Sequence, residues 1–192
     1  MKNLLIVNAL MACLMGPLSA AAQPELPYQS IPEVPQSFTP ATTVARLIDG
    51  LGFRYYWATE GLRSDDLIFR PSEEARTTDE TLTHILSLCF NASKVIGIEA
   101  KVVDLNELDF EAKRKLTLET LMAASTLLKK NPNINLEDLN LLAGSREFPF
   151  WYIINGHLSD ALTHVGQVVS FRRTSGNPIR KGVSVFEGIA RE

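Results

Sequence analysis

The feature that most constrains this chain is a helical spacing of apolar residues that recurs in four long segments. In the first segment, residues 42–63, apolar side chains return about every 3.6 positions. The other segments are residues 77–100, 109–130 and 148–173. Each is predicted to form a helix with one apolar face, and such faces are stable only when they are buried against one another. The pattern therefore predicts an all-α fold, a four-helix bundle, with a less regular all-α arrangement as the alternative.

Capping residues mark where the predicted helices begin. Thr42 or Thr43 is the expected N-cap of the first helix. Thr78, followed by Thr81, marks the start of the second helix, and Asp109 is expected to cap the third. Strand signals are nearly absent, since only "GVSVFEGI" near the end of the chain alternates weakly.

Two flanking segments complete the predicted domain organisation. Residues 23–41 carry five prolines, which exclude a continuous helix or a central strand. They are predicted to form an extended, Pro-rich N-terminal lead-in. The bundle domain is predicted to cover residues 42–192, and it includes a short C-terminal tail after "TSGNP" ends the fourth helix.

The first 22 residues resemble a targeting segment. Lys2 precedes the apolar run "LLIVNALMACLMGPL", and "SAAAQPE" supplies small residues for cleavage near Ala22. This pattern predicts a signal peptide over residues 1–22 and an exported protein, periplasmic or secreted, with no stable membrane span in the mature chain. A membrane anchor is the alternative, and acylation of Cys13 as a lipoprotein is less favoured.

Charge and cysteine content exclude several functional classes. The net charge is −3, without the basic surplus that nucleic-acid binding requires, so no nucleic-acid partner is expected. Cleavage after Ala22 leaves Cys89 as the single cysteine, so no internal disulfide is predicted. Cys89 lies in the apolar stretch "HILSLCF", where a thiol is expected to be buried and inert.

The fourth predicted helix carries polar residues on its apolar side. On a helical wheel, His157, Asp160 and His164 lie within about 60° of one another on that side. Asp160 and His164 are four residues apart, so their side chains are neighbours and could bind one divalent ion. His84, on the second helix, could complete the site from the facing helix, as in other metal-binding bundles.

Simpler interpretations of these residues stay open. A histidine near an apolar face is commonly a hydrogen-bonded core residue, and Asp160 with His164 could be only a hydrogen-bonded pair. His157 could pack at the helix entrance. Arg172 is interpreted as a positive charge that complements the C-terminal end of the helix dipole, and Gln167 as a surface residue.

The stretches "LTHI" on the second helix and "DALTHVGQ" on the fourth resemble the DinB-like superfamily of four-helix bundles. The "F-x-P" stretch before the second helix also resembles the family. The similarity covers about residues 42–175. It implies a four-helix bundle in which three histidines, one on the second helix and two on the fourth, bind a divalent metal ion.

By position, His84 and His164 match two of the family's ligands. The third position holds Asp160, where the family usually has histidine. Aspartate is also a competent ligand, so the resemblance implies a site of His84, Asp160 and His164. His157, one turn earlier, does not match a family position and is the less favoured ligand.

The resemblance implies a metal-dependent enzyme, such as a transferase or isomerase that uses a small thiol, with a small-molecule substrate that the sequence does not identify. Hydrolysis through a metal-bound water is a further option for such a metal site. The ion is expected to be zinc, nickel or iron, and no catalytic residue beyond the ligands is assigned. The alternative is a non-catalytic structural or ligand-binding four-helix bundle. A homodimer is expected by analogy with the family.

Overall fold

The computed structural model describes residues 25–99 and 104–191. The predicted signal peptide, residues 1–22, lies outside the described residues, and so does the acylation alternative at Cys13. The described part of the protein is mostly helical and has two short antiparallel hairpins. None of the helices in this part combines the length and the hydropathy needed to span a bilayer.

Helices and short strands follow one another along the described chain. The helices are α1 (Pro40–Thr59), α2 (Ser64–Ile68), α3 (Thr78–Ile96), α4 (Phe110–Lys130) and α5 (Ser159–Thr174). A 3-10 turn covers Leu136–Asp138, and a π-helical turn, Ile153–Leu158, leads directly into α5. The strands are β1 (Asn140–Ala143), β2 (Arg146–Pro149), β3 (Val183–Ser184) and β4 (Ile189–Ala190).

The helix starts differ in part from the predicted ones. Thr39 caps α1 and forms a capping box with Thr42, so α1 begins at Pro40, inside the predicted lead-in. Thr77 caps α3 and exchanges hydrogen bonds with Glu80, so the predicted caps of these two helices were wrong. The Asp109 cap of α4 is confirmed, because its carboxylate accepts from the third backbone N–H of the helix.

The four long helices share one apolar core. α1 packs against α4 and α5, and α3 packs against the same two helices. Arg114 near the start of α4 donates to Thr59 at the end of α1 (3.1 Å), so these two helices are antiparallel. Lys113 Nζ, near the start of α4, lies 2.7 Å from Asp79 Oδ2 at the start of α3, so α3 and α4 run in the same direction. Each of the four helices contributes fully buried side chains, for example Ile48, Leu82, Leu121 and Val168.

The hairpin β1–β2 was not predicted. Its strands have four residues each, too short for an alternating pattern to be recognised. Gly144, with φ of 62°, occupies the turn, where a residue with a Cβ would be strained. The partly buried Leu141 packs against the core. The weak alternation near the C-terminus does correspond to strands, β3 and β4.

The Pro-rich segment before α1 is attached to the core through Tyr28. Its side chain is only 3% exposed, and its backbone has a positive φ of 76°, which is uncommon outside glycine. The ring lies directly over Gly52 of α1, where an added Cβ would come within 2.5 Å of it. Burial, and next the negative charge of Asp49, raise the pKa of the Tyr28 phenol, so it stays protonated and donates to Asp49 (3.3 Å).

Asp49 is a fully buried carboxylate between α1 and α4. Ser125 Oγ donates to Asp49 Oδ1 at 2.5 Å, and the Lys129 ammonium lies 2.6 Å from Asp49 Oδ2. A buried carboxylate is strongly destabilising unless it is paired and hydrogen-bonded, and these partners meet that requirement. The cluster joins Tyr28, α1 and α4 through one charged group.

Two helical glycines provide a matched test of this packing. We expect Gly52→Ala to lower the free energy of unfolding by about 1–3 kcal/mol, because the new methyl group overlaps the Tyr28 ring. Gly166→Ala on α5 should raise it by about 1 kcal/mol, because its Cβ meets no atom within 4 Å and alanine is the better helix former. Urea denaturation of both variants measures the difference, and equal effects would contradict the described position of Tyr28.

Arg172 fixes the end of α5 to the end of α1. It is only 4% exposed, and its Nη1 donates to the carbonyl oxygens of Trp57 (3.2 Å), Ala58 (3.0 Å) and Glu60 (2.9 Å). Its Nε donates to Asn177 O at 2.6 Å. The last carbonyls of a helix lack partners within that helix, and here a buried guanidinium provides them. Arg172 was predicted only to complement the helix dipole of α5. In the structure it also joins the end of α5 to the end of α1.

Asp66 of α2 holds the chain that follows α5. Arg63 donates to both of its carboxylate oxygens (2.8 and 2.9 Å), and Ser175 and Asn177 each donate at 2.6 Å. These bonds, led by those from Arg63, hold the pKa of Asp66 well below its usual range. The sequence "SDDL" thus forms most of a short helix that presents a buried anion.

We expect Arg172→Ala to lower the free energy of unfolding by about 3 kcal/mol, because several buried carbonyls lose a charged donor. The neighbouring Arg173, which is exposed, is the control, and Arg173→Ala should change stability by less than about 0.5 kcal/mol. Urea denaturation followed by circular dichroism measures both values. Similar losses in the two variants would show that Arg172 does not join the helices as described.

Candidate metal centre

The helix that carries the candidate ligands begins with a π-helical turn. The predicted helix starts at Phe148, whereas the chain is still in strand β2 at Pro149 and then enters the turn Ile153–Leu158. Ser159 Oγ donates to Ile154 O at 2.8 Å, which satisfies a carbonyl of the wider turn. A π turn changes the angular phase of a helix, so residues before Ser159 do not lie where a regular helix would place them. Such turns are frequent at functional sites.

The structure brings His84, Asp160 and His164 together. His84 comes from α3, and the other two come from successive turns of α5. One potential ligand atom from each residue lies within 4.8 Å of the others. The two imidazole rings meet edge to face, with centroids 4.6 Å apart and an angle of 82° between the planes. The packing of α3 on α5 therefore produces the three-residue group predicted from the sequence.

Both imidazoles present Nε2 to the same carboxylate oxygen. His84 Nε2 and His164 Nε2 each lie 3.5 Å from Asp160 Oδ2. This distance is longer than a good N–H···O hydrogen bond, which is about 2.9 Å. Ligand atoms about 2.1 Å from a tetrahedral ion lie about 3.4 Å apart. The observed separations therefore fit ligands around a small divalent cation better than they fit direct hydrogen bonds.

Gln167 orients the imidazole of His164. His164 Nδ1 lies 2.8 Å from Gln167 Oε1. An amide oxygen only accepts, so Nδ1 carries the hydrogen, and Nε2 of the neutral ring has a free lone pair. That lone pair faces the Asp160 carboxylate, and a favourable contact between the two groups requires either a proton on Nε2 or a metal ion between them. Gln167 is exposed, as predicted, and its contact with His164 follows from their spacing of three residues on a helix.

The environment of His84 favours its neutral form. Burial lowers the pKa of the His84 imidazole, and the charges of Arg76 and His164 act in the same direction, whereas Asp160 opposes them. The His84 side chain is 31% exposed, the Asp160 side chain 43% and the His164 side chain 12%. A neutral imidazole is the form that binds metal ions. The group thus has a buried inner side at His164 and an accessible side at Asp160.

His157 lies outside this group. It belongs to the π-helical turn, and its Nδ1 is buried without a hydrogen-bond partner among the described residues. The regular helical wheel placed it close to Asp160 in angle, and the π turn changes that relation. Of the two α5 candidates for the third ligand, the structure favours Asp160.

Cys89, which follows His84 on α3, takes no part in the group. Its side chain is 1% exposed, and burial raises the pKa of its thiol to about 12. A thiol with such a pKa is not a nucleophile at neutral pH. The predicted burial of the Cys89 thiol is confirmed.

Comparison with protein-family models, with curated proteins and with solved structures finds no match to this chain. The geometry of the centre and the chemistry of its donors therefore carry the functional argument.

We expect Gln167→Ala to weaken zinc binding about 10- to 100-fold, because the Nδ1–H of His164 loses the acceptor that orients the ring. Gln167→Glu, which keeps an acceptor oxygen at the same distance along the side chain, should retain the affinity. Competitive titration of zinc against a chromophoric chelator measures the dissociation constants. Equal affinities of wild type and Gln167→Ala would show that this hydrogen bond does not support a ligand.

Proposed function

We propose that this protein is an exported hydrolase that depends on a divalent metal ion and has the DinB-like four-helix bundle fold. The observation that carries the proposal is the convergence of His84 Nε2 and His164 Nε2 on Asp160 Oδ2, each at 3.5 Å. The packing of the four long helices around one core supports the fold. The homodimer and the exported location stay predictions from the sequence.

The donor set fits a divalent transition metal. Two imidazoles and one carboxylate are the ligands of catalytic zinc sites, and the same set binds iron in non-haem enzymes. His84 and His164 would bind through Nε2, and Asp160 through Oδ2. Zinc, nickel and iron all suit these donors, so the proposal does not distinguish among them.

Three protein ligands are characteristic of catalytic sites, because structural zinc sites usually have four. A divalent ion in such a site supplies Lewis acidity, which activates water and polarises a carbonyl or phosphoryl group. The 43% exposure of Asp160 provides access from solvent on one side of the site. On the less exposed side, where the His164 side chain is 12% exposed, the contact with Gln167 holds the imidazole ring in place.

Hydrolysis is favoured over thiol-dependent transfer because of the predicted location. Water is available outside the cell, whereas the cytosolic thiol cofactors that such transferases use are scarce there. No thiol of the described chain is close to the ligands, since Cys89 is buried and does not belong to the group.

Metal content of the purified mature protein tests the site. Wild type should retain about one divalent ion per chain after dialysis, as measured by inductively coupled plasma mass spectrometry. His84→Ala and His164→Ala should each lose it, because two remaining ligands bind too weakly. His157→Ala is the matched control and should retain the ion. A wild-type protein without bound metal after zinc, nickel and iron reconstitution would refute the proposed site.

The same variants separate a catalytic ion from a structural one. The metal-loaded protein should hydrolyse members of a panel of activated esters and phosphoesters, and Asp160→Ala should lose this activity while it stays folded by circular dichroism. Asp160→His, which restores the ligand typical of the resembled family, should still bind metal. Bound metal without turnover, together with a large loss of stability on chelation, would support the non-catalytic alternative.

A further inference from the structure

A cleft lies on the side of α5 that faces away from the candidate metal centre. It has a volume of about 640 Å³ and lies between α1, α5 and the C-terminal segment. Leu162, Val165 and Val169 of α5 form one apolar wall, and Val183 lies on the tail side. At about 100° per residue, Leu162 is roughly 160° from both Asp160 and His164 around the helix axis. The cleft is therefore distinct from the site of the proposed hydrolase.

Three arginines border this apolar space. Arg54 comes from α1, Arg173 from the last turn of α5 and Arg180 from the tail. No aspartate or glutamate lines the cleft, and among the described residues no carboxylate oxygen lies within 4.0 Å of these guanidinium groups. Arg180 stacks over the Trp57 ring at 4.9 Å, which holds one guanidinium at the edge of the cleft. The protein as a whole is acidic, so this concentration of unpaired positive charge is local.

Gly166 also lines the cleft, in the middle of α5. A helical glycine costs about 1 kcal/mol relative to alanine. Close packing does not require it, because a Cβ at this position would meet no atom within 4 Å. The missing side chain leaves the apolar floor open beside Leu162 and Val169.

We propose that this cleft binds an amphiphilic anion, with its acidic head at the arginines and its hydrocarbon chain along the apolar wall of α5. A cleft of this size is typical of small-molecule sites, in which apolar walls give affinity and a few polar groups orient the ligand. Guanidinium groups bind both carboxylate and phosphate by paired hydrogen bonds. The head group is therefore a carboxylate or a phosphate, which the experiment distinguishes.

Trp57 provides the signal for the test. The protein has two tryptophans, and Trp151 is exposed at the start of the helix that contains α5, outside the cleft lining. A Trp151→Phe background makes Trp57 the single reporter. Decanoate and decyl phosphate, each below its micelle concentration, should change Trp57 fluorescence with saturation at one ligand per chain. Decanol and acetate, which each lack one half of the ligand, should bind at least ten times more weakly.

Variants within the cleft and variants outside it complete the test. Gly166→Leu should fill the floor and abolish the signal without loss of fold, and Arg173→Ala should weaken binding about tenfold through loss of a charged hydrogen bond. Arg191→Ala, on the tail but outside the cleft, is the matched charge control and should leave binding unchanged. Asp160→Ala should also bind normally, which separates this cleft from the metal centre.

Three results would overturn the proposal. The first is decanol binding as tightly as decanoate and decyl phosphate, because the arginines would then have no role. The second is unchanged binding by Gly166→Leu, which would place the ligand elsewhere. The third is a dimeric wild type that Gly166→Leu converts to a monomer in sedimentation velocity, because a second copy of the chain would then occupy the cleft.

Discussion

The position of α5 relative to α1 is the constraint on which the rest of the described structure depends. Arg172 sets it, because one buried guanidinium provides donors for three carbonyls at the end of α1. Polar backbone groups at a buried helix end need such partners, so this contact fixes both the separation and the axial register of the two helices. Phe171, one residue earlier, contacts Phe69 before α3, with ring centroids 5.8 Å apart. The end of α5 is thereby held between two neighbours.

The candidate metal centre follows from that constraint. With its C-terminal end fixed, α5 presents Asp160 and His164 to α3 at the level of His84. The π-helical turn before Asp160 lies between the short hairpin β1–β2 and the regular part of the helix. Rigid helices then hold the donor atoms at separations that suit one ion, and the opposite side of α5 is left to border the arginine-lined cleft.

Several features could be predicted because they depend on local sequence. The helical spacing of apolar residues predicted all four long helices, and the spacing of four between Asp160 and His164 made them neighbours. The N-terminal boundaries were less accurate, since Thr39 and Thr77 compete with nearby threonines that have the same chemistry. The strands of β1–β2 are too short for an alternating pattern, and a single π turn has no repeat that the sequence could show. The partners of Arg172 left no signal because they lie far from it in the sequence.

The sequence by itself determined a mostly helical protein with His84 on one helix and Asp160 with His164 on another. It did so because side-chain direction along a helix follows from a fixed rotation per residue. Only the tertiary structure decided that Asp160 rather than His157 joins the histidines, because the π turn shifts one residue and not the other. It also decided that three arginines border one cleft, since the packing of α1, α5 and the tail brings these groups together.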